Sequence, residues 1–211
     1  MTAERDPAPP PAAPRAPRAG GRFLFESLLI VLSVLLGLAL NEWRQHRADR
    51  ELAATAVENC RRELAANLAE LERSLPVHRE VQERLREVAT RAGEPPGLFA
   101  LMDQIMPESG LQLPVLKDVA WQTALATGAL RHMGYDEAST LAGVYLAQTA
   151  GVQATVGRFS DHLFSHRSFA ADGHAETLQL LLLFFHELVS QEEFMLRRYR
   201  VLLESADATA P

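Results

Sequence analysis

Residues 23–40 read FLFESLLIVLSVLLGLAL, and this stretch decides the architecture that the sequence predicts. It contains one charged side chain, Glu26, and is followed directly by the polar-aromatic step Asn41-Glu42-Trp43. As a helix its 18 residues would extend about 27 Å, close to the roughly 30 Å hydrocarbon core of a bilayer. The sequence therefore predicts a transmembrane anchor helix over residues 23–43, in contact with membrane lipid.

A cleaved signal peptide is the alternative interpretation of this stretch, since Gly37 and Ala39 provide small residues at the spacing of a cleavage site. The apolar region of a signal peptide is usually about 7–15 residues long, and here a charged amphipathic helix follows at once. These features favour an uncleaved anchor. Glu26 lies one turn inside the membrane boundary, where it is either a functional intramembrane acid or an interfacial group that reaches the headgroups or pairs with Arg22.

Arginine residues flank the apolar stretch on both sides, four within residues 1–22 and three at positions 44, 47 and 50. Because cytoplasmic flanks carry an excess of Lys and Arg, this count predicts a cytoplasmic N-terminus and a domain outside the cytoplasm. Six of the 12 prolines also lie in residues 1–22, which predicts a disordered tail rich in proline, alanine and arginine. Residues 207–211 are likewise expected to be disordered.

The 211 residues carry a net charge of −6, and the basic residues alternate with acidic ones instead of forming a stripe. Nucleic acid is therefore not an expected partner, because phosphate binding needs a basic surface. Cys60 is the only cysteine, which excludes an intrachain disulfide and a thiolate metal cluster. Its place on an apolar helix face predicts a buried side chain; the alternative is an exposed thiol whose pKa is lowered by Arg61 and Arg62.

After Trp43 the apolar residues recur with a step of about 3.6 residues, which is the period of an amphipathic helix. The stripe consists of Val57, Cys60, Leu64, Leu68, Leu71 and Leu75, then Val81, Leu85, Val88 and Ala92, with His78 in register. Pro76 interrupts the stripe without changing its phase, which predicts a kinked helix rather than a turn between two helices. The segment Gly93-Glu94-Pro95-Pro96-Gly97 is expected to end this helix.

Four further helices are expected after that break. Their predicted bounds are residues 98–105, 117–127, 136–166 and 175–204. Gly128 is suited to the left-handed conformation that closes a helix, and Asp136 is suited to an N-cap. No segment shows the alternation of a strand. The predicted fold is therefore all-α: one N-terminal transmembrane helix followed by an antiparallel bundle of long helices over residues 44–206.

Two helix faces predict contacts between helices. Gly143, Ala147 and Gly151 recur every four residues, so another helix is expected to approach closely along that face. The last helix carries a seven-residue repeat typical of a coiled coil, with further apolar side chains at residues 180–185. The repeat comprises Leu178, Leu181, Phe185, Leu188, Glu192, Met195, Tyr199 and Leu202. Its one polar member, Glu192, is expected either to pair with an arginine such as Arg158 or to reach water by a small rotation of the helix.

The sequence offers few candidates for chemistry. His162 and His166 lie four residues apart on one helix face, and His174 follows after a short loop. This pattern is compatible with binding of a metal ion. Solvated histidines at the end of a helix explain it more simply. The pair His186-Glu187 resembles the start of the HExxH metalloprotease pattern, but position 190 is serine, so the second ligand is missing. We therefore predict no catalytic, cofactor-binding or metal-binding residues, no cofactor and no enzymatic activity.

The residues after Glu26, SLLIVLSVLLGLALNEWRQHR, resemble the anchor of a widespread set of small bacterial single-pass membrane proteins. In that family an apolar helix with an early Glu and a late Gly, here Gly37, ends in an Asn-(Asn/Glu)-Trp step, here Asn41-Glu42-Trp43. Residues 120–130 also resemble an aromatic-helix-Thr/Ser-Gly segment of the family. The family has no assigned activity, so the resemblance implies the architecture and transfers no catalytic residue. With the predicted orientation, it implies a bacterial inner membrane and a periplasmic domain.

The leading functional hypothesis is a membrane-tethered helical interaction or scaffold module that associates with itself or with another membrane protein. It rests on the anchor, the long helices and the heptad repeat. The alternative is an extracytoplasmic sensory or ligand-binding domain, in which the Pro76 kink provides a point of adjustment. A third hypothesis is a metal-dependent enzyme that uses His162, His166 and His174. An internal polar cavity between the helices would favour the ligand-binding alternative.

Overall fold

The computed structural model of the chain describes the backbone of residues 19–163, 170 and 173–207, and the side chains from residue 25 to residue 205 within those ranges. In these residues all regular secondary structure is helical and no strand is present, as the sequence predicts. The predicted disordered segments fall almost entirely outside them. Helix α1 spans Ala19–Thr90, so residues 19–22, expected to belong to the tail, are helical. The last proline of the tail is Pro17, so no proline interrupts this part of the helix, although Gly20 and Gly21 are weak helix formers.

The chain divides into two compact units, residues 1–48 and residues 49–211. The described part of the first unit is the beginning of α1. Its apolar side chains from Phe25 to Leu40 are exposed along the whole length of the helix. By length and composition this segment can cross a membrane.

The second unit begins with the remainder of α1, which passes through Pro76 without a break and ends at Thr90. The predicted continuity of this helix is therefore confirmed. Gly93, three residues beyond its end, adopts a φ of 129°, a conformation that L side chains rarely adopt. The predicted termination near this glycine is also confirmed.

Two short helices follow. Helix α2 spans Leu98–Ile105, the predicted bounds, and α3 spans Val119–Thr127 after an irregular segment. Gly128 closes α3 in the left-handed conformation, with a φ of 74°, as its lack of a Cβ atom favours. A 3-10 turn, Ala129–His132, leads to the next helix.

The long helix predicted over residues 136–166 is divided in the structure. Helix α4 spans Tyr135–Gln148 and α5 spans Ala154–Leu163, with a π-helical turn, Thr149–Gln153, between them. The N-cap is Gly134, not Asp136, because Gly134 has the extended backbone of a cap and accepts from the Ala138 N–H group at 2.9 Å. Asp136 instead lies in the first turn, where a negative charge interacts favourably with the helix dipole.

Helix α6, His174–Asp207, packs its predicted heptad face into the core. Every member of that repeat is buried except Leu202, which is half-buried. Polar pairs outside the heptad repeat also join α6 to α1. Among them are Glu72 with Arg200 at 2.6 Å, Arg79 with Glu193 at 2.7 Å, and Gln82 with His186 at 3.5 Å.

The small-residue face of α4 and the π turn lies against α6, so the predicted partner helix is confirmed. A Cβ atom on Gly143 would lie 3.1 Å from Arg198 Nη2, and one on Gly151 would lie 2.6 Å from Gln191 Oε1. The space over these glycines is therefore filled by the ends of long side chains.

Candidate functional site

Glu192 lies at the centre of a buried polar contact that neither sequence interpretation anticipated. Its side chain is fully buried, so it does not reach water, and its partner is His78 of α1, not Arg158. Nδ1 of His78 lies 2.9 Å from both carboxylate oxygens of Glu192, and Ser74 Oγ lies 2.9 Å from Oε1. His78 was placed on the buried stripe of α1 by its sequence register, and that placement is confirmed.

The hydrogen bonds fix where the protons of this contact lie. Nε2 of His78 is 2.8 Å from the carbonyl oxygen of Leu111, which can only accept, so Nε2 carries a hydrogen. Nδ1 and Glu192 then share one further proton, in the form of an imidazolium with a carboxylate or of an imidazole with a carboxylic acid. In both forms each ring nitrogen has a partner.

Ser74, His78 and Glu192 are the residue types of a hydrolytic triad, but their arrangement does not activate the serine. Ser74 donates to the carboxylate and not to the imidazole, which in a triad would have to accept its proton. All three side chains are fully buried, so a substrate cannot reach them. The contact instead joins α1, α6 and the segment at Leu111 in one register.

A second buried network surrounds Asn67, farther toward the start of α1. Its amide donates to the carbonyl oxygen of Lys117 at 2.7 Å and to Gln148 Oε1 at 3.1 Å, and its oxygen accepts from the Lys117 N–H group at 2.8 Å. Tyr199 also donates to Gln148 Oε1, at 2.6 Å. One asparagine thus fixes the segment before α3 against α1, and one glutamine joins α4 to α6.

The tyrosines and the cysteine of this region hold their protons. Tyr145 donates to Glu63 Oε1 at 2.8 Å, and burial together with this acceptor raises the pKa of Tyr145. Burial also raises the pKa of Tyr199 and of the Cys60 thiol. Cys60 is fully buried, as predicted, so the reactive alternative is wrong.

The neighbouring arginines do not activate Cys60. Arg61 pairs with Glu137 at 3.1 Å, and Arg62 donates to Asn59 at 2.6 Å. Both guanidinium groups thus engage polar partners. Cys60 acts as a small apolar side chain of the core.

The structure describes only part of the histidine set that the sequence analysis weighed as metal ligands. His166 lies outside the described residues, and elsewhere no group of three His, Cys, Asp or Glu side chains is placed to hold an ion. His174 packs its ring over Gly97, where a Cβ atom would lie 3.3 Å from Nε2. His186 is exposed, and His162 lines the cleft described next.

An apolar cleft of about 430 Å³ lies between α5 and α6. It is termed here the α5–α6 cleft. Its walls are Thr155, Arg158, Phe159, His162, Leu163, Thr177, Leu180, Leu181, Leu183, Phe184 and Glu187. The rings of Phe159 and Phe184 stack with their centroids 3.9 Å apart, which joins the two walls. The sequence analysis did not predict the cleft. The apolar residues at 180–185 that lie outside the heptad repeat could have indicated it, because they form a second apolar surface on α6.

Most of the surface that lines the cleft is apolar, although five of its 11 wall residues are polar or charged. Arg158 is exposed, and its Nη2 donates to Thr155 Oγ1 at 3.0 Å. On the opposite helix Glu187 accepts a 2.6 Å hydrogen bond from Gln191, whose side chain also lies over Gly151 of the π turn. The cleft is thus suited to an apolar ligand with one polar end.

Comparison with protein-family models, with curated proteins and with solved structures gave no match to this chain.

Proposed function

We propose that this chain is a single-pass, membrane-tethered helical module that acts by binding a partner rather than by catalysis. The observation that carries the proposal is the exposure of every described apolar side chain from Phe25 to Leu40. Burying one Val, Leu or Ile side chain contributes about 1.5–3 kcal/mol, so a helix of this composition gains much free energy in lipid. Residues 23–43 contact lipid, the N-terminus is cytoplasmic, and the helical domain is periplasmic at a bacterial inner membrane.

In this proposal the second unit is an antiparallel bundle. The polar pairs between α1 and α6 support it: along α1 from Glu72 to Gln82 the partners on α6 run back from Arg200 to His186. Residues that rise in number on one helix therefore meet residues that fall on the other, as in neighbouring helices of opposite direction.

The module also associates with itself or with another membrane protein. The heptad face of α6 is not available for this contact, because Phe185 and Leu188 are fully buried within the chain. The exposed apolar part of α1 is one surface that remains for it. Chemical crosslinking of the full chain in native membranes should give a dimer or a heterologous adduct, and monomer alone with no co-purified partner would contradict the proposed association.

Membrane insertion is tested by alkaline carbonate extraction and by the mass of the mature chain. The intact chain should stay in the membrane pellet. A Leu32→Arg/Leu35→Arg variant should be released, because each arginine at the centre of a span costs about 2.5–3.5 kcal/mol, whereas the matched Leu32→Ala/Leu35→Ala variant should stay. Extraction of the intact wild-type chain, or mature protein that begins at Leu40, would refute the tether. Reporters fused to the C-terminus, one active only in the periplasm, test the orientation.

A second candidate function is an extracytoplasmic sensory or ligand-binding domain. The α5–α6 cleft favours it, because its volume of about 430 Å³ lies in the 300–1,000 Å³ range of small-molecule sites. The cleft is apolar, in contrast to the polar cavity that the sequence led us to expect for this function. Its chemistry therefore points away from a sugar or an ion.

A further inference from the structure

The walls of the α5–α6 cleft leave apolar side chains without full cover. Leu183 is 63% exposed, and Leu180 and Phe184 are half-buried, although all three belong to a run of six consecutive apolar residues in α6. The heptad face of the same helix is buried in the core, and Phe184 packs partly against that core, whereas Leu180 and Leu183 are not among its residues. An apolar ligand in the cleft would cover them.

The volume of the cleft favours one flexible chain. Its volume of about 430 Å³ is near the lower end of the range for ligand sites, which suits a single acyl chain better than the paired chains of a phospholipid. The stacked rings of Phe159 and Phe184 and the leucines of both helices form its walls, and aromatic and aliphatic groups of this kind pack well against methylene groups.

The remaining donors of Arg158 suit an anionic head. The guanidinium of Arg158 is exposed and uses one donor on Thr155, whereas an arginine has five donors. The walls also carry one acid, Glu187, which accepts a hydrogen bond from Gln191, so the head is assigned to the side of the cleft at Arg158. A carboxylate is the planar anion that matches the fork of an arginine.

We propose that the α5–α6 cleft binds a free long-chain carboxylate, with its acyl chain between Phe184 and Leu163 and its head at Arg158. This deepens the ligand-binding candidate function and rests on it. A chain that is tethered at a bilayer would meet such amphiphiles at high local concentration, because they partition into lipid.

The test uses the full chain in phosphatidylcholine vesicles with a photoreactive analogue of palmitate that carries a diazirine in its acyl chain. After irradiation, labelled residues are mapped by mass spectrometry. We expect labels within residues 159–163 and 177–187 in addition to the anchor at 23–43. Excess palmitate should remove the cleft labels, and hexadecylamine at the same concentration should remove them less.

Two variants examine the cleft itself. Leu180→Trp should lower cleft labelling about tenfold or more, because its indole takes the space of several methylenes and each buried methylene contributes about fourfold in affinity. Ser190→Trp, on an exposed position of α6 outside the cleft, should leave labelling unchanged. Palmitate should remove the cleft labels at a lower concentration than hexadecylamine does, and Arg158→Gln should reduce this difference about threefold, which is the usual contribution of an exposed ion pair. Protection of Cys60 from thiol reagents verifies that each variant is folded.

Anchor labelling serves as the internal reference. Labels on the anchor without labels on α5 and α6 would overturn the cleft proposal and leave the tether intact, whereas loss of the anchor labels would count against the tether. Cleft labels that persist in a folded Leu180→Trp variant, or that never saturate with probe, would show collision with a surface only and overturn the site. Equal competition by hexadecylamine would overturn the assignment of a carboxylate.

Discussion

Replacement of His78 by leucine leaves Glu192 in place and removes the partner of a fully buried carboxylate. Of its contacts, only the hydrogen bond from Ser74 remains, at 2.9 Å, and the carbonyl oxygen of Leu111 loses its donor. Breaking a buried ion pair by removing one partner costs about 3–5 kcal/mol. Since small domains are stable by about 5–15 kcal/mol, His78→Leu should remove about a fifth or more of the free energy of unfolding.

The complementary variants separate the pair from its surroundings. In Glu192→Leu, Nδ1 of His78 and the hydroxyl of Ser74 lose their partner but no buried carboxylate is left behind, so the expected cost is smaller, about 1–3 kcal/mol for unsatisfied polar groups. The double variant His78→Leu/Glu192→Leu removes both charges and should be more stable than His78→Leu alone, because an apolar pair of similar volume often replaces a buried ion pair without loss. The cost of the double variant should therefore fall short of the sum of the two single costs by at least about 1–3 kcal/mol, which is the coupling energy of the pair.

The assay is urea unfolding of the full chain in detergent micelles, followed by the fluorescence of Trp121 in a Trp43→Phe background. Trp121 is a suitable reporter because its ring stacks on Tyr145 with the centroids 5.4 Å apart. The control is Arg79→Leu, which removes a largely exposed ion pair with Glu193 and should cost less than about 1 kcal/mol.

Two results would refute this reasoning. A change of less than about 1 kcal/mol in His78→Leu, equal to that of the exposed control, would mean that Glu192 is solvated in the folded protein. Costs that simply add in the double variant would mean that His78 and Glu192 do not interact.

Three further predictions concern the rest of the core. Burial raises the pKa of Tyr145 and of Tyr199, so the folded state keeps protons that the unfolded chain releases. The free energy of unfolding should therefore fall as the pH rises above about 10. Urea titrations at several pH values should show this decrease, and it should be smaller in Tyr145→Phe. Cys60 should react with a thiol reagent only as fast as the protein unfolds, and rapid modification of the folded chain at neutral pH would contradict its burial. Gly143→Ala should raise the free energy of unfolding by about 0.5–1 kcal/mol, because alanine is the better helix former and its Cβ atom would meet only the end of the Arg198 side chain. A loss of stability in the same urea assay would show that Arg198 cannot move aside.

Several features of this fold could be read from local sequence. The period of the apolar residues around Cys60 and along α6 placed both helices and their buried faces, because a helix brings every third or fourth residue to one side. Gly93 and Gly128 marked helix ends, because their positive φ angles suit a residue without a Cβ atom. These signals depend on neighbours within one or two turns.

Other features depend on contacts that no local pattern contains. The π turn at Thr149–Gln153 adds one residue to a helical turn and leaves the apolar period nearly unchanged, so residues 135–163 read as one helix. The α5–α6 cleft needs the apolar residues of two different helices, and the sequence showed only that α6 had more of them than its heptad repeat used.

The sequence by itself thus determined that the chain is helical, which faces are buried, and where one segment is apolar enough for lipid. Tertiary structure alone decided that Glu192 meets His78, 114 positions away, and not an arginine. The physical reason is that helical hydrogen bonds and amphipathic patterns are local, whereas the partner of a buried charge is set by the rotation and register of two packed helices. Those are fixed only when the whole core is assembled.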